Sequence, residues 1–273
     1  MQKSLFFFLV LPLCTIGLLA EEPENRAFEA FRPFYEKMTN EGKTLTDWHI
    51  HLRGGMTPEK ALEREKATGI KSAVLENAGR DWPLSDDAKI NALVDSVKAV
   101  SPSMPVGLQV NDRDWYKQIA PETLKRFDFI LADTMIMGTN PDGTPCRLWL
   151  LPDDYNADPN EWMERYMAHY RQILDEPVTI LANPTYLPKC FADRYDELWT
   201  DARMAEVIDK AISKGIALEI QAESIYPSER FIEMAVEKGA TFSFGTNNEN
   251  AELKNLGRWQ STLEKYPAMK IKR

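Results

Sequence analysis

The stretch DWHIHLRGGMTPEKALEREKATGIKSAVLE, Asp47 to Glu76, decides the fold. It opens on a short run in which polar and apolar residues alternate. Side chains of an extended strand point to opposite faces in turn. Asp47, His49 and His51 are therefore expected on one face, and Trp48, Ile50 and Leu52 on the other. Thr57-Pro58 then supplies an N-cap with proline at the first helical position. A second β-prone run, IKSAVLE, follows that helix. Strand, helix, strand is the unit of a parallel sheet with helical crossovers.

The unit repeats along the chain. Further β-prone runs are MPVGLQV (104–110), FDFILAD (127–133), PVTILAN (177–183), GIALEI (215–220) and ATFSFGT (240–246). With KTLTDWHI (43–50) and IKSAVLE (70–76) they make seven. One intervening helix is expected to start at Ser85 with acidic residues in its first turn. Two others end at Gly215 and Gly239, as C-caps do. Seven such units predict an α/β fold, a closed or nearly closed (β/α) barrel, over residues 43–273. No glycine-rich phosphate loop follows an early strand, which argues against an open dinucleotide-binding sheet. Residues 134–160 break the rhythm with a Pro-, Gly-, Asn- and Asp-rich excursion carrying Arg147 and Trp149. It reads either as a lid or substrate wall or as a packed cap on the barrel.

The N-terminus precedes this pattern. Residues 1–20 combine Lys3 with an apolar run ending at Ala20, before EEPEN, and read as a cleaved secretory signal. Residues 21–42 form an N-terminal helical segment with Phe28, Phe31 and Tyr35 on one side. The chain is then expected to be secreted or periplasmic, free of the membrane once the signal is removed. Its 273 residues carry a formal net charge of -9 without a basic patch, which argues against nucleic-acid binding. A small-molecule substrate is the expected partner. Cys146 and Cys190 read as free, buried thiols, and His169 as a helix-surface residue.

Barrel enzymes keep their chemistry at the C-terminal strand ends. Here those ends form a polar ring: Asp47, His49, His51, Glu76, Asn77, Gln109, Asn111, Asp133, Asn183, Glu219, Gln221, Thr246, Asn247, Asn248 and Glu249. Buried polar groups cost free energy unless satisfied, so the set as a whole points to a pocket.

At this point the sequence resembles a family. Asp47–Glu76 is similar to the opening of the polymerase and histidinol phosphatase (PHP) family, whose signature is Asp-x-His-x-His followed by a helix and a second strand. GIALEIQAESIYPSERFIEMAVEKGATFSFGT, Gly215 to Thr246, is similar to its closing unit. The resemblance implies a distorted seven-stranded TIM-like barrel of PHP type, one to three metal ions and phosphoester hydrolysis. The departures are specific. Glu76-Asn77-Ala78 stands for Thr-Asp-His, Gln109 for a metal-bridging glutamate, and Met135 for a histidine. Asn183-Pro184 stands for His-Pro, and Asn247 and Glu249 for the closing Asp-x-His. Amides in place of carboxylates keep hydrogen bonding but remove charge.

Two functions follow. The first is a secreted metal-dependent hydrolase acting on phosphoesters. His49 and His51 hold one divalent ion, zinc or manganese, and Asp47, Asp133 and Glu219 serve as orienting group, ligand or base. Glu76, Asn77, Gln109, Arg113, Asn183, Asn247 and Asn248 bind substrate. The second binds no metal. It is either a lyase or isomerase acting on a sugar-like compound, with His49 as the acid–base group and Gln109, Asn183 and Asn247 binding hydroxyls, or a binding protein in which the strand-end amides and Trp82, Trp115 and Trp149 form a sugar-stacking pocket.

Overall fold

The structure, a computed structural model, describes residues 23–273. The expected signal over residues 1–20 lies outside them. Strands β1 (Thr46–His51), β2 (Lys71–Ala78), β3 (Val106–Val110) and β4 (Phe129–Asp133) run parallel in sequence order. A two-stranded antiparallel hairpin, β5 (Ile136–Thr139) and β6 (Pro145–Arg147), interrupts them. The barrel resumes with β7 (Ile180–Ala182), β8 (Ala217–Gln221) and β9 (Thr241–Gly245). β9 pairs back to β1, so seven parallel strands close. A short strand that the sequence pattern does not announce, β10 (Lys270–Ile271), adds to the start of β9.

The helices are α1 (Pro23–Asn40), α2 (Pro58–Thr68), α3 (Asp87–Val100), α4 (Pro121–Leu124), α5 (Pro159–Asp175), α6 (Tyr195–Leu198), α7 (Asp201–Lys214), α8 (Glu229–Glu237) and α9 (Gly257–Lys265). Among these described residues no helix is long and apolar enough to cross a membrane. Their ends follow local chemistry. Thr57 caps α2 by accepting from the Lys60 N–H, and Gly69 closes it in the left-handed region. α3 is capped by Asp86, one residue past the expected Ser85. α1 buries Phe28, Phe31 and Tyr35 as expected, and the Tyr35 hydroxyl donates to the Gly69 carbonyl at 2.7 Å. Gly69 precedes β2, so α1 lies across the N-terminal end of the barrel.

The barrel interior is layered. Trp48, Ala73, Leu75, Phe129, Leu131, Ile180, Ala182 and Ala217 fill its lower part, with Trp48 and Phe129 edge to face at 5.2 Å. Gly107 makes room for them, since a Cβ there would lie 2.6 Å from the Phe129 ring. Further up, the inward positions turn polar: Leu75 gives way to Asn77, Gly107 to Gln109, Leu131 to Asp133, and Ala217 to Glu219 and Gln221. The alternation fails in one place. β1 shifts register between Asp47 and Ile50, so Trp48 joins the barrel interior while Asp47 faces outward to Arg64 of α2. The expected common face of Asp47, His49 and His51 is therefore broken at Asp47.

Two other expectations are corrected. Cys146 and Cys190 are free but only half-buried. His169 is buried, stacked on Tyr166 at 6.2 Å within α5. Burial first, and the Arg113 guanidinium second, push its pKa down to about 3. An unfolded histidine titrates near 6.5, so the unfolded chain takes up a proton that the native state refuses. The resulting loss of stability is absent above pH 6.5 and grows as pH falls toward 3. Urea unfolding is expected to show wild type about 2 kcal/mol less stable at pH 5 than at pH 7 from this residue alone. In His169→Gln that share of the slope disappears, and an unchanged slope refutes the assignment.

Candidate active site

His49 and Glu219 form the centre of the strand-end cluster. Glu219 Oε1 lies 2.5 Å from His49 Nδ1, and both side chains are almost completely buried. Gly245 makes this pair possible: a Cβ there would lie 2.3 Å from Glu219 Oε1 and 2.6 Å from the His49 Cβ. On the far side of the ring, His49 Nε2 meets Gln109 Oε1 at 2.9 Å and His51 Nε2 at 3.2 Å. The Gln109 amide is oriented by its other end, where Nε2 donates to Asp133 Oδ2 and Asn111 Oδ1, both at 3.3 Å. Its oxygen must then accept from His49, which requires a proton on Nε2. The Glu219 carboxylate requires one on Nδ1. The network thus favours a doubly protonated His49. Burial opposes that charge, but Glu219 and Asp133 more than offset it and raise the His49 pKa.

His51 is the neutral partner. Burial pushes its pKa down to about 4, against Glu76 and with the charges of His49 and Arg53. Glu76 Oε1 approaches His51 Nδ1 to 3.4 Å but is aligned with the Asn77 N–H and amide, at 2.7 and 3.2 Å. Asn111 donates to Asn77 Oδ1 at 2.9 Å and continues the chain of amides.

Asp133 ends β4, where its Oδ1 accepts from the Met135 N–H at 2.9 Å and the Asn183 amide at 3.0 Å. Burial raises its pKa against those donors and against His49. Asn183 sits at φ +51°, gives its N–H to Glu219 Oε2 and accepts from Gln221 at 2.6 Å.

Above this network opens a cleft of about 500 Å³. Asn77, Gln109, Asp133 and Asn247 line it, with Arg53, Trp82, Met135, Ile136, Arg147, Trp149 and Glu249. The 134–160 excursion thus supplies a wall of the cleft, through its hairpin and the turn that follows it. His49, His51 and Glu219 lie beneath the floor, at or below 1% exposure. A second hollow, of about 610 Å³, opens at the other end of the barrel between α1, α9 and β10, and none of its titratable side chains is buried.

Three expected site residues are engaged elsewhere. Asp47 does not orient a histidine ring; it accepts from the His49 and Thr246 N–H groups, the Thr246 hydroxyl and Arg64. Asn248 is fully buried and clamps the backbone N–H and carbonyl of His51. Arg113 pairs with buried Glu176 at 2.9 Å. Trp115 likewise bonds Glu176 and stays in the core, whereas Trp82 and Trp149 do line the cleft. Gly245 was not among the expected site residues, whereas Thr246 stood in the strand-end ring and Arg147 on the excursion, neither with an assigned role. Gly245 carried no readable signal.

As a metal site the cluster is incomplete. Two imidazole nitrogens and an amide oxygen converge, but Glu219 faces the opposite ring nitrogen and Asp133 is held by amides. Among the described residues no group of three His, Cys, Asp or Glu side chains is placed to hold an ion.

No family model matches the chain, and no curated protein matches it. Solved structures do. A Thermomonospora fusca β-mannanase in complex with mannotriose is 10% identical, over 85% of this chain and 79% of that one, with a TM-score of 0.45. An HpcH/HpaI aldolase from Desulfitobacterium hafniense is 13% identical, over 84% and 93%, with a TM-score of 0.34. Activity is therefore read from the site's own residues.

Proposed function

We propose that the chain is a metal-independent acid–base enzyme, a lyase or isomerase acting on a sugar-like, polyhydroxylated compound. Asp133 gives and takes the proton. The observation that carries this reading is the position of Asp133: a carboxyl only 6% exposed, on the floor of the cleft, with its pKa raised by burial. A raised pKa brings both protonation states of a carboxyl nearer to neutral pH, as acid–base catalysis requires. Asn77, Gln109 and Asn247 line the same cleft and match the donors and acceptors of hydroxyl groups. His49, charged and held by Glu219, lies beneath as a positioning group and favours the Asp133 anion once its proton has left. With the leader over residues 1–20 removed, the enzyme works outside the cytoplasm.

A second reading rests on one distance. His49 and His51 face each other through Nε2 at 3.2 Å, each with a carboxylate near its Nδ1. Carboxylates so placed orient histidines around a cation. This agrees with the resemblance to the PHP family, where zinc or manganese would activate water for phosphoester hydrolysis.

One experiment separates the two. Chelator-dialysed protein is screened on polyols, sugar acids and phosphoesters, with its metal content measured by elemental mass spectrometry. Turnover of a hydroxylated substrate that survives chelation is expected. Turnover that returns only with one equivalent of zinc or manganese, and is lost in His49→Ala and His51→Ala, overturns the first reading in favour of the second.

A further inference from the structure

Arg53, Trp82 and Arg147 stand at the mouth of the cleft without a hydrogen-bonded carboxylate among the described residues. Arg53 Nε and Trp82 Nε1 are buried, and neither has a hydrogen-bond partner among the described residues. Arg147 spends its guanidinium on two indoles, 5.2 Å from the Trp82 ring and 6.0 Å from the Trp149 ring, rather than on a carboxylate. All three residues line the cleft above Asp133.

This is unusual for the chain. Acidic residues outnumber basic ones by 42 to 33, and arginines elsewhere, such as Arg113, Arg171 and Arg230, find carboxylates. The nearest one to Arg53 is Glu249, at 3.6 Å, on a side chain 73% exposed. Arg53 and Arg147 thus keep guanidinium groups at the cleft that no close carboxylate satisfies. Stacking between indoles also fixes a guanidinium in advance, so less entropy is lost when it binds.

The geometry points to an oxyanion site at the outer end of the cleft, formed by the Arg53 and Arg147 guanidinium groups, with the Trp82 and Trp149 rings holding Arg147 in place. The substrate class follows, resting on the acid–base reading above: a polyhydroxylated compound bearing a carboxylate or phosphate monoester. Its hydroxylated body lies over Asn77, Gln109 and Asp133, and its anionic end reaches the two arginines. Charged hydrogen bonds of this kind are about twice as strong as neutral ones. The site therefore selects acidic over neutral sugars.

Calorimetric titration tests this with glucose, glucuronate and glucose 6-phosphate as probes. Wild-type protein is expected to bind at least one anionic probe roughly tenfold or more tighter than glucose, with the advantage shrinking as salt rises. The stronger of the two identifies carboxylate or phosphate as the preferred group. In Arg147→Gln and Arg53→Gln the advantage falls to about threefold or less. Arg147 is exposed, so its variant is expected to fold. Equal affinity for glucose and both anions overturns the proposal. So does the absence of saturable binding by either anion, or a preference that survives in both arginine variants. Wild-type binding and turnover, measured on the same probes, separate this inference from the catalytic reading. Anion preference kept without turnover in wild type sinks catalysis alone, and turnover on neutral sugars without anion preference sinks this site alone.

Discussion

Asp133→Asn is expected to lower kcat by about 10²- to 10⁴-fold, the span that a positioned acid–base group contributes, while Tm changes little. The substitution is nearly isosteric, yet its effect travels. Asp133 Oδ2 accepts from Gln109 Nε2 in the native site. An asparagine amide in that place meets donor with donor. Gln109 relieves the clash by turning over, which presents its own NH₂ to His49 Nε2. His49 must then accept rather than donate, and loses its charge. The first readout is turnover. The second is the ¹⁵N shift of His49, which moves from imidazolium toward the neutral ring. Retained turnover excludes Asp133 as the acid–base group. Lost turnover with an unchanged His49 signal breaks the proposed link through Gln109.

Asp47→Ala is expected to cost about 3–5 kcal/mol, because it leaves the buried Thr246 N–H and hydroxyl and the His49 N–H without their acceptor, at about 1–3 kcal/mol for each unsatisfied group. Marginal stability makes this a large share of the total, about 5–15 kcal/mol for most domains. For a chain of this length it corresponds to a Tm lower by roughly 10 °C. The reason is where the carboxylate sits. It holds the Thr246 N–H at 2.9 Å, the Thr246 hydroxyl at 2.6 Å and Arg64 at 3.5 Å. Only one residue pair, Asp47 with Phe244, joins β1 to β9 in register. The Asn247 N–H adds a backbone bond to the His49 carbonyl at 2.9 Å, and the Asp47 carboxylate and the Asn248 amide add side-chain bonds. Asp47→Asn keeps an acceptor for Thr246 and should lose much less. Denaturant unfolding of both variants checks the ranking. Equal losses would mean that the charge matters more than the hydrogen bonds.

Much of this architecture was legible in the sequence, because the physics that sets it is local. The seven strands follow from β-prone runs between capped helices, and the polar layer follows from alternation at strand ends such as Leu131 to Asp133. What alternation cannot show is its own interruption. The irregularity after Asp47 sends Trp48 inward, and no residue pattern in TDWHIH announces it. Long-range pairing is equally hidden. Arg113 looks free for a substrate until Glu176, 63 residues later, is folded against it. Asn248 looks like a rim amide until it is seen clamping the His51 backbone. His169 shows the same limit, since a lone histidine on a helix does not reveal which face is covered. The hairpin within 134–160 stays hidden in the sequence, because its strands are too short for periodicity to mark.

The position of Gln109 has a consequence at the level of the gene. Its Oε1 stands 2.9 Å from His49 Nε2, and its amide touches Asp133. A glutamate there would place a second carboxylate beside Asp133 and a charged oxygen before the two facing imidazoles, which together make a cation's ligand set. Glutamine and glutamate codons differ in a single nucleotide. A single point mutation therefore suffices to change the charge at the centre of this cluster.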